Sequence, residues 1–256
     1  MKISSIALMA LLLLASCKDE AFDVARVKGS ELLKKNDFAG AAVEYEKSLE
    51  LKPDQDTKVW DRAAFANMKA GNLDRAAELL MKSLERRADP AAKLDTLRNI
   101  AGMYKEGGDL DNAEKYFQKS VELDPKDEQS LKWLAEISSV RGGARSQAAE
   151  AHPEHLKIAL TRYDAVMALN PNAADSYVNK RIVLIKYIEA MTKQKLSILA
   201  DAENQKADKE AYESMQEQAT DAQTRIDELK TMLDETTKKL GEVNKAAKEA
   251  AKEAKK

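Results

Sequence analysis

The sequence is poor in the residues on which many catalytic and metal sites depend. Its 256 residues include one cysteine and two histidines, so no disulfide can form within the chain and a zinc site of cysteine and histidine would lack ligands. His152 and His155 stand three residues apart around Pro153, but no third ligand lies nearby in sequence. No strand is predicted, and no glycine-rich phosphate loop is present. We therefore expect no enzymatic activity, no metal and no cofactor.

Glycine, proline and aromatic residues are also scarce. The chain has nine glycines and five prolines, aromatic residues make up 5%, and charged residues make up 34%. This composition is typical of exposed helices with narrow apolar stripes. The formal net charge is −2, so no strongly basic field indicates nucleic acid as a partner.

The amino terminus carries a secretory signal. Lys2 precedes a largely apolar stretch that runs from Ile3 to Leu14, and about twelve residues are too few to cross a membrane, which takes roughly 20. The stretch ends in Leu14-Ala15-Ser16-Cys17. These four residues resemble the lipobox of bacterial lipoproteins, in which a leucine and two small residues precede a cysteine. The alternative is an ordinary signal peptide with a coincidental cysteine.

The lipobox resemblance implies a lipid anchor at the only cysteine of the chain. Residues 1–16 would be the signal peptide, and Cys17 would become the first residue, carry fatty-acyl chains such as palmitate and hold the protein to the membrane. Three acyl chains would make this attachment effectively permanent. Residues 17–21 would be a short tether. Lys18, in place of aspartate, favours the periplasmic face of the outer membrane over the inner membrane under the enterobacterial sorting rule, and Lys18-Asp19-Glu20 also looks like a surface-export signal.

A repeated pattern of two helices and a tight turn follows. The segments that begin at Lys47, Lys82 and Lys119 all read Lys-Ser-(Leu/Val)-Glu, at intervals of 35 and 37 residues. Turn residues precede each copy, at 36–38, 71–73 and 108–110. A fixed period of this size predicts a solenoid of stacked helical hairpins.

The repeats resemble the tetratricopeptide repeat (TPR) in the placement of small and aromatic residues. The third copy, at about 94–127, is the best match, and it carries Ala101, Tyr104, Gly108, Ala113, Phe117 and Pro125. The resemblance implies an all-α solenoid of about four repeats over residues 22–171, with an insertion at about 142–154 that splits the fourth. In this reading small residues allow the helices to approach, and Tyr45, Tyr104, Phe117 and Tyr163 fill the core beside them.

Two long helices are predicted after the repeats. Residues 172–205 contain a long helix, and residues 206–256 contain a heptad pattern and a Lys/Ala-rich tail. The apolar side of the first of these helices is formed by Tyr177, Val178, Ile182, Ile185, Ile188, Leu196 and Leu199. The heptad positions are Tyr212, Met215, Ala219, Ala222, Ile226, Leu229, Leu233, Thr236, Leu240 and Val243. We expect a helical hairpin with a coiled-coil seam. The alternative is that the seam pairs with a second molecule of the same chain, which would be self-association, or with another protein.

The TPR resemblance also implies a groove lined by the first helix of each repeat, which binds a peptide or helix. The groove positions that the resemblance assigns are Arg26, Lys34, Arg62, Phe65, Lys69, Arg98, Asn99, Lys105, Lys132 and Trp133. Ser30, Asp61 and Glu136 lie on the same inward side. Basic residues outnumber acids there. We hypothesise that the groove prefers an acidic segment and that Phe65 and Trp133 are its apolar anchors. The alternative is a solvated face with incidental charge.

Three functional classes follow. The first is a membrane-anchored scaffold that binds a protein component of an envelope complex. The second is a structural tether between membrane and cell wall, and the third is an enzyme. The sequence favours the scaffold, because the long helices alone support the tether and no catalytic constellation supports the enzyme.

Overall fold

The computed structural model describes residues 5–54 and 56–254, with side chains from residue 20 onward. These residues form ten α-helices and no strand. The helices are α1 Ser5–Lys34, α2 Phe38–Leu51, α3 Thr57–Lys69, α4 Leu73–Glu85, α5 Pro90–Glu106, α6 Leu110–Leu123, α7 Glu128–Arg141, α8 Pro153–Leu169, α9 Ala174–Asn204 and α10 Lys209–Glu253. The all-α, helical-hairpin fold predicted from the sequence is confirmed. The backbone of α1 runs through the predicted lipobox, but the Cys17 side chain lies outside the described residues.

The chain divides into two compact units, residues 1–119 and residues 120–256. In unit 1 each helix from α1 to α4 packs against the next helix in sequence. Short turns join the helices of a hairpin, and each contains a left-handed residue: Asn36 at φ 59°, Gly71 at φ 87° and Gly108 at φ 84°. Glycine adopts this conformation without a Cβ penalty. The turn positions predicted from the repeat are therefore confirmed.

Small and large residues alternate in the core of unit 1, as the repeat pattern predicts. Ala41, Ala64, Ala76, Ala101 and Ala113 are all buried. The aromatic residues beside them, Tyr45, Tyr104 and Phe117, are also buried. Helices approach closely only where one side is small, so this pairing fixes how the hairpins stack.

Unit 2 contains a fourth hairpin, α7 and α8, followed by the two long helices. Its core includes Ala135, Leu156, Tyr163, Val183 and Leu184, from α7, α8 and α9. The loop between α7 and α8 covers residues 142–152 and is held against the unit: the Lys186 ammonium on α9 donates to the carbonyls of Ser146 and Gln147 at 3.2 and 3.3 Å.

The helices α9 and α10 form the predicted hairpin. Leu229 and Ala219 on α10 are buried, as are Ile226 and Leu240, and every heptad position from Tyr212 to Val243 is buried or half-buried. α9 of the same chain packs along α10. The seam is therefore filled by α9 of the same chain, as the predicted hairpin requires.

The apolar side predicted for α9 is wrong in part. Of the predicted positions, four are buried or half-buried: Tyr177, Ile182, Ile188 and Leu199. Val178, Ile185 and Leu196 are instead 42%, 43% and 61% exposed, whereas Val183 and Leu184 are fully buried. The reason is that α9 packs against α8 on one side and α10 on another, so the covered arc is centred on Val183 and Leu184 and not on the apolar stripe.

Within the described part of the chain, no helix is both long enough and apolar enough to cross a membrane.

Candidate partner-binding surfaces

A cationic, partly apolar surface lies on the first helices of the hairpins in unit 1. We call it the unit-1 face and define it by Arg62, Phe65 and Lys69 on α3 and Arg98 and Asn99 on α5. The three α3 residues are spaced three and four apart, which places them on one side of the helix. Phe65 is 44% exposed, an unusual exposure for so large an apolar side chain.

The Phe65 ring is held in place by two neighbours. The ring of Phe38, at the start of α2, meets it edge to face with centroids 6.5 Å apart. The Lys69 ammonium lies 5.7 Å from its centroid, within the range of a cation–π contact. Phe65 is therefore a positioned aromatic with one side open to solvent, which is the form that interface anchors take.

The cations of the unit-1 face differ in how far they are neutralised. Among the described residues, Arg62 and Lys69 have no carboxylate within ion-pair distance, and both are exposed. Arg98 is compensated, because its guanidinium lies 3.2 Å from the Asp95 carboxylate. The structure thus leaves uncompensated positive charge on both sides of Phe65.

Other residues predicted to line the groove take different roles. Asp61 accepts hydrogen bonds from Ser83 Oγ at 2.7 Å and from Arg87 Nη2 at 2.6 Å. It therefore connects α3 to α4 and to the residues that follow α4. Arg26 pairs with Asp23 one turn earlier on α1. Lys34 is exposed at the end of α1, and Lys105 is half-buried on α5.

A pocket of about 360 Å³ lies in unit 2, between α7, α8, α9 and the 142–152 loop. We call it the unit-2 pocket. It is lined by Gln129, Lys132, Trp133, Glu136, Arg145, Tyr163, Asp175, Ser176 and Asn179. All nine side chains can form hydrogen bonds, and none is aliphatic.

The positive charge predicted at Lys132 is compensated within the protein. Its ammonium lies 2.8 Å from Glu128 Oε1 and 3.2 Å from Asp175 Oδ2. The hydrogen bond from Lys132, followed by one from Asn170, holds the pKa of Glu128 below its ordinary value. The fourth repeat therefore does not present the free cation that the groove hypothesis assumed there.

Glu136 is the centre of the second ion pair in the pocket. Arg145 Nε donates to Glu136 Oε1 at 2.7 Å, and its Nη2 donates to Glu136 Oε2. The buried Tyr163 hydroxyl donates to the same carboxylate at 3.0 Å. The hydrogen bond to Glu136 raises the pKa of Arg145, and burial raises the pKa of Tyr163. Trp133 is half-buried beside them.

The two histidines lie next to each other at the start of α8. The rings of His152 and His155 lie edge to face with centroids 6.5 Å apart. Within the residues that the structure describes, no group of three histidine, cysteine or acidic side chains is placed to hold an ion.

Sequence reasoning missed Arg145, Asp175 and Asn179, which come from the loop and from α9. Asp175 and Asn179 are four residues apart at the start of α9, a spacing that indicates one helix side. Asp175 and Asn179 could have been found by treating the start of α9 as the first helix of a fifth repeat. No local signal indicated Arg145.

Comparison with known proteins agrees with the fold. A family model described as a tetratricopeptide repeat matches residues 95–127. A TPR-repeat protein from Bacteroides fragilis, solved as a crystal structure, is similar over 88% of this chain and 98% of its own, with a TM-score of 0.56 and 14% identity. At this identity the likeness shows the fold alone.

Two curated relatives are more similar in sequence but over a shorter stretch. Both are Photosystem I assembly protein Ycf3, from two strains of Prochlorococcus marinus, and they are 33% and 30% identical to this chain over 89 residues. Those residues are 35% of this chain and 51% of each relative, so the chain spans about half the length of the curated relatives it matches. TPR proteins are typically non-enzymatic and bind other proteins. The chain thus contains a tetratricopeptide repeat at residues 95–127, set in a TPR-type helical solenoid.

Proposed function

We propose that this chain is a lipid-anchored scaffold of the bacterial cell envelope that binds an acidic segment of a protein partner through the unit-1 face. The observation that carries the proposal is Phe65, which is 44% exposed and stands between Arg62 and Lys69, two cations without a carboxylate partner in the described residues. Interface energetics are dominated by a few aromatic and arginine side chains of this kind. A partner carboxylate would gain most from Arg62, whose charge is not already shared.

The anchor and the location are supported by sequence. Leu14-Ala15-Ser16-Cys17 matches the lipobox pattern, and Lys18 follows it. We propose acylation at Cys17 and residence at the periplasmic face of the outer membrane, where the partner would be a component of an envelope complex.

The binding proposal is tested by reversing charge on the unit-1 face. Arg62→Glu and Arg98→Glu should lower recovery of the partner when the mature protein is used as bait after crosslinking in membranes. Lys47→Glu is a matched control, because Lys47 is exposed on α2 and lies outside the unit-1 face. Unchanged recovery with the two arginine variants would reject the role of this face, and an equal loss with Lys47→Glu would show a nonspecific charge effect.

The anchor is tested separately by metabolic labelling with a fatty acid. The wild type should take up label and sediment with membranes, and Cys17→Ser should do neither. Label retained by Cys17→Ser, or absent from the wild type, would refute the anchor without affecting the binding proposal.

The second candidate function is a tether between membrane and cell wall. The observation that favours it is the length of α10, which has 45 residues and spans about 67 Å at 1.5 Å per residue. A tether should stay with purified peptidoglycan after washing in detergent and high salt. A lipid-anchored scaffold that does not bind the cell wall should be washed off the peptidoglycan.

A further inference from the structure

The loop between α7 and α8 places an arginine in the unit-2 pocket. In the hairpins α1–α2, α3–α4 and α5–α6, the turn between the two helices covers three residues, whereas the loop between α7 and α8 covers residues 142–152. The longer loop allows Arg145 to reach Glu136. The side chain of Arg145 therefore occupies the pocket in the way that a ligand would, and its contacts show which chemical group the pocket accommodates.

The side chains around Arg145 form a binding site for a guanidinium group. The Glu136 carboxylate receives Arg145 side-on, through Nε and Nη2, which is the bidentate geometry that arginine makes best. The Tyr163 hydroxyl donates to Glu136 Oε2 at 3.0 Å, the same oxygen that accepts from Arg145 Nη2, and so it helps to fix the orientation of the carboxylate. Trp133 adds an aromatic wall to the pocket, and aromatic rings attract guanidinium groups.

We propose that Arg145 is an internal occupant of an arginine site, and that an arginine side chain of a protein partner binds the unit-2 pocket by replacing it. Both members of the ion pair are reachable from solvent, since the side chain of Arg145 is 34% exposed and that of Glu136 is 26% exposed. Exchange of one arginine for another keeps the same bidentate bonds, so the partner gains its net affinity from the contacts that it adds around them.

The rest of the loop does not depend on Arg145. Its ends are fixed by backbone hydrogen bonds from Ala144 to Ser139 and from His152 to Gly142, at 3.0 and 3.2 Å, and Lys186 holds the carbonyls of Ser146 and Gln147. The side chain of Arg145 can therefore leave Glu136 while the loop backbone keeps its attachment to unit 2.

An anionic ligand is a poorer fit to the same pocket. Lys132 already shares its charge between Glu128 and Asp175, and Arg145 shares its charge with Glu136. A ligand carboxylate would have to approach Glu136 and Asp175, which repel it. The charges that line the pocket therefore favour a cationic ligand over an anionic one.

The proposal is tested by removing the Arg145 side chain from the pocket in the full chain and measuring the binding of a free arginine derivative. The probe is N-acetyl-arginine amide, and N-acetyl-citrulline amide is its control of the same shape without the charge. The chain has two tryptophans, so the indole N–H resonance of Trp133, identified by its loss in Trp133→Phe, reports on the pocket. Arg145→Ala should lower the apparent Kd for the probe by about tenfold or more, because an internal competitor reduces the competent fraction.

Further variants keep the test decisive. Arg145→Gln should give the same gain, with a side chain that still fills part of the space. Adding Glu136→Gln to Arg145→Ala should abolish the gain. Arg225→Ala is the matched control, since it removes a half-buried arginine of unit 2 that pairs with Glu228 at 2.7 Å, outside the pocket, and it should leave the Kd unchanged.

Three results would overturn the proposal: no tighter binding in either Arg145 variant while helicity is retained, equal binding of the citrulline control, or equal binding after Glu136→Gln. The site uses no residue of the unit-1 face. Loss of arginine binding in unit 2 and loss of acidic-segment binding in unit 1 are therefore separate outcomes.

Discussion

Gly29 on α1 faces the buried ring of Tyr45 on α2 so closely that a Cβ atom on Gly29 would lie 3.1 Å from three ring atoms. Alanine in a helix is normally favoured over glycine by about 0.5–1 kcal/mol. Here the Tyr45 ring would have to move, and it is fully buried, so overpacking at about 1–3 kcal/mol outweighs that gain. We expect Gly29→Ala to lower the free energy of unfolding of unit 1.

Gly102→Ala is the matched control for Gly29→Ala. Gly102 lies within α5, and a Cβ atom there would meet no neighbouring side chain within 4 Å, so the same substitution should stabilise by about 0.5–1 kcal/mol. Urea unfolding followed by Trp60 fluorescence, in a Trp133→Phe background, measures both. Equal effects of the two substitutions would show that the Gly29–Tyr45 contact does not constrain the first hairpin.

Tyr104 connects α5 to α4, because its hydroxyl donates to the Asp74 carboxylate at 2.8 Å. Tyr104→Phe should cost about 1.5–3 kcal/mol at neutral pH, the range for a hydrogen bond to a charged group. Burial, followed by the Asp74 carboxylate, raises the pKa of Tyr104 in the folded protein.

The raised pKa gives this contribution a pH dependence with a defined sign. Because the folded protein holds the phenolic proton more tightly than the unfolded chain, the stabilisation is complete below the ordinary tyrosine pKa of about 10 and declines as the pH rises above it. The stability difference between wild type and Tyr104→Phe should therefore shrink between pH 8 and pH 11. A difference that stays constant over that range would contradict the role given to the hydroxyl proton.

The hairpin of α9 and α10 predicts contrasting effects for two leucines. Leu229 on α10 is fully buried, and Leu196 on α9 is 61% exposed. Leu229→Ala should cost about 2–5 kcal/mol, because it leaves a cavity, whereas Leu196→Ala should change stability by about 0.5 kcal/mol or less. Thermal unfolding followed by circular dichroism measures both, and a reversed order would mean that the seam lies on another side of α9.

Local sequence patterns predicted the parts of the structure that depend on local physics. Gly71 and Gly108 mark turns because few other residues adopt a positive φ, and the spacing around Leu229 places apolar residues on one side of a helix whatever its partner is. The exposed cation Arg62 was also predicted, since the TPR pattern assigns its position to the first-helix side of the repeat.

The features that were not predicted depend on residues distant in sequence. The charge of Lys132 is compensated in part by Asp175, which lies on a different helix. No local sequence pattern indicates that these two residues are close in space. Arg145 reaches Glu136 only because of the path of the 142–152 loop. Val178 and Val183 are both apolar, and only the positions of α8 and α10 decide which of them is covered.

The most direct measurement of the proposed function is site-specific photo-crosslinking in intact cells. A photoreactive phenylalanine analogue at position 65, on the unit-1 face, should capture an envelope protein. The same analogue at position 43 is the control, because Val43 is 66% exposed but lies on α2, the second helix of its hairpin. Capture at position 65 and not at position 43 is the predicted result, and capture at position 43 alone, or at neither position, would contradict partner binding through this face.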